Sequence, residues 1–324
     1  MTDLKMLADE IIAGRRLQKG DKELSYLTAA DIGKVKEGAD TIRRKLCGEH
    51  IDLCSIINGK SGKCQENCKF CAQSAHNCTG IEEYGFLEES EILKECLHND
   101  SKGVHRFAIV TAGRTLKGND FEKALSAFRT MKEKTGIALC ASLGLLSEEQ
   151  FRRLYEAGVR RYHCNIETSR RFFPEICTTH TFDDKLKCIA RAKKAGFQVC
   201  SGGIIGMGET WDDRIDMAFT LRELGVSSVP INALMPIPGT PLENNERLTA
   251  EDVIRTVAIF RYIIPDVYIR IAAGRGLVPD SGRDIFLAGA NATITGDMLT
   301  TTGSDIDSDM AMLKDMGFDI TREN

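Results

Sequence analysis

The stretch KCQENCKFCAQ, Lys63 to Gln73, sets Cys64, Cys68 and Cys71 in a C-x3-C-x2-C spacing, with Phe70 directly before the third cysteine. Three thiolates on one loop can hold three corners of a cubane iron–sulfur cluster and leave the fourth iron open to another ligand. The same sulfurs could instead join His76 or Cys78 in a closed zinc site, or pair as disulfides. Phe70, taken alone, reads as ordinary packing.

The 324 residues, 42% of them hydrophobic, suffice for one large core or two modest domains. A formal net charge of -4 gives no electrostatic reason to expect nucleic-acid binding, so a ligand of moderate size is the better expectation. Twelve cysteines, behind a start (MTDLKMLADEIIAGRR) that lacks the apolar run of a signal peptide, point to a cytoplasmic location where thiols serve metals and chemistry. No window approaches the roughly 18 consecutive apolar residues of a membrane span, and a soluble chain is expected.

Around the cysteine loop the hydrophobic pattern alternates between two periods. Helical spacing covers Asp3 to Arg16 and Ala29 to Lys45, and these N-terminal helices (residues 1–48) are expected to cap one end of the fold. Ile51 to Asn58 is a short β-rich run that feeds the loop. Further strands are expected at Arg106 to Thr111, Ile137 to Leu143, Arg161 to Glu167, Gln198 to Gly206, Ser228 to Met235, Val267 to Ala273 and Ala292 to Thr295. Helical patterns separate most of them, and three end on a glycine, at Gly158, Gly196 and Gly225, a residue that tolerates the left-handed cap. Eight strands with intervening helices predict a (β/α)8 TIM-type barrel with an N-terminal helical extension, a single domain over residues 1–324 with the barrel over 49–324.

In such barrels chemistry sits where strands end and loops begin, as the cysteine loop does. Cys140 and Cys200 fall on the third and fifth strands; each alone reads as small apolar filler, yet both are expected to face one cavity. Arg270 would be a charge in the barrel wall, costly unless paired with an anion or ligand. Asn165 and Glu167 alternate onto one face, where they could hold ribose hydroxyls or a polar substrate, or form a salt-bridged pair. The segment GGIIGMGE, Gly202 to Glu209, is a weak phosphate-loop signal; its glycines, Gly206 among them, would let the backbone approach a bound adenosine.

The motifs KCQENCKFC, LCASLG, VCSGGIIGMGET, SVPIN, PGTPL, YIRIAAGR, AGAN and LTT occur in order, and together they resemble the biotin synthase family of radical S-adenosylmethionine (SAM) enzymes over about Leu53 to Gly317. The resemblance implies a sulfurtransferase that inserts one sulfur between C6 and C9 of dethiobiotin, two deoxyadenosyl radicals from SAM removing the hydrogens and an auxiliary iron–sulfur cluster donating the sulfur. No side-chain acid or base is implied as the catalyst. It implies that Cys64, Cys68 and Cys71 hold a [4Fe-4S] cluster, and that Thr111, Ala112, Gly113, Asn165, Glu167, Lys185 and Gly206 contact SAM. Lys185 stands where the family usually has arginine, keeping the charge and losing the bidentate fork. Asn165, Asn232 and, by position, His163 fall to the substrate, with Thr300 and Thr301 in the loop that receives its carboxylate. The implied partners are dethiobiotin, a flavodoxin- or ferredoxin-type electron donor, iron–sulfur assembly proteins and a second copy in a homodimer, with no nucleic acid or membrane. Hydrogenase maturases and methylornithine synthase share much of the pattern and are the alternative reading.

One family feature is broken. The usual auxiliary [2Fe-2S] cluster takes three cysteines and an arginine; Cys140, Cys200 and Arg270 match, while the second-strand cysteine is here Ala108. Small polar positions around the expected cluster have become Ile51 and Ala292. A cysteine has meanwhile appeared at Cys164, where the family commonly reads YNHN and this chain reads Tyr162, His163, Cys164, Asn165. Cys164 is therefore a candidate replacement ligand in a cluster of altered nuclearity, although strict alternation turns it outward and His163 inward. Cys54 is a weaker candidate, expected to share that parity problem, and Cys47, Cys78, Cys96, Cys177 and Cys188 read as structural or incidental thiols.

Overall fold

The computed structural model describes residues 3–296 and 303–322. Its strands are β1 (Asp52–Lys60), β2 (Arg106–Thr111), β3 (Ala138–Ser142), β4 (Arg161–His163), β5 (Gln198–Cys200), β6 (Gly203–Ile205), β7 (Ser228–Ala233), β8 (Tyr268–Ile271) and β9 (Ala292–Ile294). All pair in parallel, β1 lying between β2 and β9. Cys200 opposite Ser228 closes the ring between β5 and β7. Since β5 and β6 are halves of one interrupted strand, the described residues form a closed eight-stranded barrel, as the alternating pattern predicts.

The interruption has a packing cause. A Cβ on Gly202 would lie 1.9 Å from the Pro230 carbonyl oxygen, and one on Gly203 would lie 2.2 Å from that of Glu167. Only glycine lets β5 and β6 run this close to the chains on either side. On the neighbouring side β4 stops at His163, short of the expected Glu167, because the chain turns: Glu167 has φ +70 and rejoins the sheet through Glu167 N–H to Gly202 O (3.1 Å) and Ile204 N–H to Glu167 O (2.8 Å).

The helices are α1 (Leu4–Ile12), α2 (Lys22–Ala29), α3 (Ile32–Cys47), α4 (Glu89–Ser101), α5 (Gly118–Lys134), α6 (Glu148–Glu156), α7 (Phe173–Ile176), α8 (Phe182–Lys194), α9 (Trp211–Glu223), α10 (Ala250–Ile263), α11 (Arg283–Phe286) and α12 (Ile306–Asp315). Four start with capping boxes, Ser147/Gln150, Thr181/Asp184, Thr210/Asp213 and Thr249/Asp252, so their first N–H groups find partners without water. The helix expected from Ala29 to Lys45 begins only at Ile32, because Asp31 caps it by accepting from Lys34 N–H (3.1 Å).

Asp213 does more than cap. It also accepts from Ser169 Oγ (2.6 Å) and Arg171 Nε (3.0 Å); burial opposes its charge, yet Arg171 and Ser169 hold the carboxyl down at about 2. Replacing it by Asn should cost about 2 kcal/mol at neutral pH, the scale of lost charge-assisted hydrogen bonds. A depressed native pKa gives stability that is present above the unfolded value and lost as pH falls through the native one. The wild-type advantage in urea midpoint should therefore shrink from about pH 4 towards pH 2.

Every residue of α10 from Val253 to Ile263 is buried. A helix apolar on all sides needs cover on all sides; the barrel supplies one and the N-terminal helices the other. The N-terminal packing seen is thus against the flank of α10. Gly38 of α3 meets Tyr262 there, and Arg255 donates to the carbonyls of Leu27 (2.8 Å) and Ala30 (2.9 Å) that end α2. No helix among the described residues is long and apolar enough to cross a membrane.

Candidate functional site

Period-two alternation carries three layers of side chains into the barrel. At the floor Asp52 of β1 meets Arg106, Arg161 and Arg270, from β2, β4 and β8. Arg161 Nη1 and Arg106 Nε each lie 2.9 Å from its carboxylate, and Arg270 also donates to the carbonyls of Asp52 (3.0 Å) and Thr293 (2.6 Å). Burial alone would raise the Asp52 carboxyl; Arg270, Arg106 and Arg161 together hold it well below the usual range. Three guanidinium groups sharing one carboxylate leave buried positive charge, which calls for an anion above it.

What lies above is a set of thiols. Asp52, Cys54 and Ile56 share the inner face of β1, so the expected parity problem for Cys54 does not arise. Its thiol neighbours that of Cys140, which pairs in register with Ala108. Cys54 sits one pleat below Ile56, the residue opposite Ala108, so a β1 thiol stands near the place the missing β2 thiol vacates. The neighbouring Cys54 thiol lowers the Cys140 pKa, with Arg161 and Arg106 helping, and that of Cys54 is raised in turn. Cys200 faces the same space, as does His163, which burial pushes down to about 4 and so keeps neutral. Cys164 also lines the cavity, and the Cys188 thiol on α8 is the main influence on its own, lowering its pKa against burial.

The third layer opens as a cavity of about 430 Å³ over the strand ends, with Cys64, Cys68 and Cys71 on its rim. Their loop holds its own shape. Cys64 N–H donates to Gln73 O (3.0 Å), Ala75 N–H to Cys64 O (2.7 Å) and Asn77 Nδ2 to Cys71 O (2.8 Å), while Lys63 takes φ +53 to enter it. Burial pushes the Cys71 thiol up to about 11, an environment that a metal cation reverses.

Thr111, Ala112, Gly113, Asn165, Glu167 and Lys185 line the same cavity, as do His163, Asn232 and Arg270. Burial raises the Glu167 carboxyl, with Lys185 Nζ 3.8 Å away; burial also opposes the Lys185 ammonium, which Cys164 and Glu167 nevertheless hold above its usual value. Asn232 bridges two neighbours, donating to Gly203 O and accepting from Ala273 N–H, both at 3.2 Å, which fixes its amide and leaves one N–H and one lone pair uncommitted. Gly206 is not among the lining residues. With φ +94 it sends its N–H to Glu209 (2.8 Å), and a Cβ there would press on Leu234 and Leu248. Thr300 and Thr301 lie outside the described residues.

Sequence reasoning passed over Cys177. Its sulfur lies 3.7 Å from that of Cys68 and 3.3 Å from His180 Nδ1. Cys68 donates to it, so Cys177 loses its proton the more readily and Cys68 keeps its own. The T-T-H run that follows Cys177 was the available signal.

A radical SAM superfamily model matches residues 60–221, and the Biotin and Thiamin Synthesis associated domain matches residues 230–319. The biotin synthase of Clostridium beijerinckii is 60% identical over 317 residues, covering 98% of this chain and 100% of that one. This chain belongs to the biotin synthase family. Another biotin synthase, from Alkaliphilus metalliredigens, is 59% identical and covers 98% and 99% of the two chains. Among solved structures, methylornithine synthase shares the fold with a TM-score of 0.85 at 20% identity over 98% of this chain and 97% of that one. An FeFe-hydrogenase maturase from Carboxydothermus hydrogenoformans does so with 0.79 at 17%, over 97% and 78%. The chain is thus a radical SAM enzyme, and its donor sets agree with iron–sulfur and SAM use: a self-supporting three-thiol loop at the mouth, and buried thiols over excess arginine at the floor.

Proposed function

We propose that this protein makes biotin, inserting sulfur between C6 and C9 of dethiobiotin. The observation that carries the reading is a second set of buried thiols below the cavity whose rim carries Cys64, Cys68 and Cys71, reaching it through Cys200, since sulfur insertion needs a sulfur store beneath the site where hydrogen is removed. Bound there, an iron–sulfur cluster with SAM supplies the one-electron chemistry that abstracts unactivated hydrogens, and a second cluster supplies the sulfur.

The chain's own part is to hold and orient. Cys64, Cys68 and Cys71 hold the [4Fe-4S] cluster on a loop whose hydrogen bonds are already made. Thr111, Ala112 and Gly113 face the methionine end of SAM, with Lys185 near its carboxylate and Asn165 and Glu167 near its ribose. Gly206 serves by shaping the loop behind them. Cys54, Cys140 and Cys200, backed by Arg270, would hold the auxiliary cluster, one ligand standing on β1 where Ala108 leaves β2 without one. Neutral His163 and the fixed amide of Asn232 would meet the ureido ring. Because β5 meets β7 and β1 meets β9, the two matched regions close one ring, and we read them as a single domain. A flavodoxin- or ferredoxin-type donor, iron–sulfur assembly proteins and a homodimeric partner complete the reading.

The test is anaerobic turnover with SAM, dethiobiotin and a reductant. Biotin should form, and SAM cleavage with dethiobiotin left untouched would reject the reading in favour of another radical SAM reaction. Asn232→Ala should weaken dethiobiotin binding about tenfold, the worth of one or two net hydrogen bonds, with SAM affinity unchanged by calorimetry.

A further inference from the structure

We propose that the cluster loop carries a second, mononuclear site for a thiophilic divalent cation, zinc or ferrous iron, built from Cys68, Cys177 and His180 and exclusive of the cluster. The exclusion rests on reading Cys68 as a cluster ligand; the ion site itself does not.

Three hydrogen bonds fix Cys177 where it is. Lys69 N–H donates to Ile176 O (2.9 Å), and Asn67 Oδ1 accepts from the N–H groups of Thr178 (2.9 Å) and Thr179 (3.2 Å), so the loop carrying Cys68 is sewn to the one carrying Cys177 and His180. The donor atoms of the three residues all lie within 4.8 Å of one another. A tetrahedral zinc with bonds of about 2.3 Å to sulfur and about 2.0–2.1 Å to nitrogen sets its sulfurs roughly 3.7 Å apart and sulfur from nitrogen roughly 3.5 Å. The two sulfurs lie 3.7 Å apart and Cys177 Sγ lies 3.9 Å from His180 Nε2, within a few tenths of an ångström of the edges of that tetrahedron.

The cluster loop does not account for Cys177, which is not one of its three thiols; in the metal-free chain Cys68 donates to it, and at 3.7 Å the two sulfurs are close enough to bind one ion once deprotonated. Glu66 lies behind His180, its Oε2 accepting from Nδ1–H (2.5 Å) and from Thr179 Oγ1 (2.7 Å), the carboxylate support that metal-binding histidines use, which leaves Nε2 to the ion. Cys177 and His180 are buried, while Cys68 reaches the cavity, which gives the ion a way in and leaves the fourth position to water. Binding replaces the thiol protons with M²⁺ and releases them to solvent, with no change of oxidation state. Held there, the ion occupies Cys68 and blocks assembly of the cluster.

Cobalt(II) titrated anaerobically into the cluster-free full chain, with a non-coordinating reductant, tests the site directly. One cobalt per chain should bind with the intense visible bands of tetrahedral thiolate coordination. The bands should persist in a Cys64→Ser, Cys71→Ser double variant and disappear in Cys177→Ser and, independently, in His180→Gln. Bands that follow Cys64 and Cys71 and ignore Cys177 would overturn the proposal, as would the weak spectrum of six-coordinate cobalt. A second readout concerns exclusion: one equivalent of zinc should slow cluster reconstitution at least tenfold in the wild type and leave the Cys177→Ser rate unchanged. Equal slowing in both proteins refutes exclusion.

Discussion

A Cys54→Ala protein, purified without oxygen, should cleave SAM and make no detectable biotin. The buried thiol of Cys54 neighbours that of Cys140, beneath the cavity floor and above three arginines, while Ala108 stands where the family resemblance expects the third sulfur. Removing it leaves Cys140 and Cys200 as the remaining thiols of the proposed auxiliary set. Biotin formation should fall by more than the roughly 10–100-fold that follows loss of an outer-shell partner. Auxiliary-cluster iron, counted by Mössbauer spectroscopy, should disappear with it. Cys164→Ala is the control: its sulfur engages Cys188 on α8, so cluster iron should be retained and only packing disturbed. If the second cluster survives loss of Cys54 and fails on loss of Cys164, the assignment is reversed.

The Asp52→Asn protein should be the least stable of the single variants, by roughly 3–5 kcal/mol in urea unfolding of the cluster-free chain, the cost of stranding buried charge. Asp52 is 2% exposed and is the carboxylate that Arg106, Arg161 and Arg270 share. The amide keeps the shape and removes the charge, so Arg161 and Arg270 remain buried with carbonyl and amide partners alone. Because its native pKa is depressed, the wild-type stabilisation is complete above the unfolded value near 3.8 and is lost only as pH falls below it. An Asp52→Asn midpoint within experimental error of the wild type would show that the arginines are solvated after all.

Strand positions were legible because apolar runs at period two and glycine caps at helix ends are local signals, and the cysteine loop was legible from its spacing alone. What escaped was set by contacts distant in sequence. The fourth strand was read through to Glu167, but its end at His163 depends on a positive φ that follows from close packing against Gly203. Cys54 was assigned to the wrong face because the parity of β1 is fixed by Asp52 and its arginines, from three other strands. Cys177 read as an incidental thiol because Cys68, its partner, is 109 residues away in the chain and only the fold joins them. The second helix was drawn through Ala30, where the Asp31 cap splits it.

The close approach of main chain to main chain at Gly202 and Gly203 also bears on how this scaffold can diversify. At those two positions any Cβ would wedge the ring apart, so they are closed to exchange however the chamber is asked to change. Variation in what the chamber accepts falls to the side chains around them and across from them, such as Ile56, Val110 and Ile294 on β1, β2 and β9.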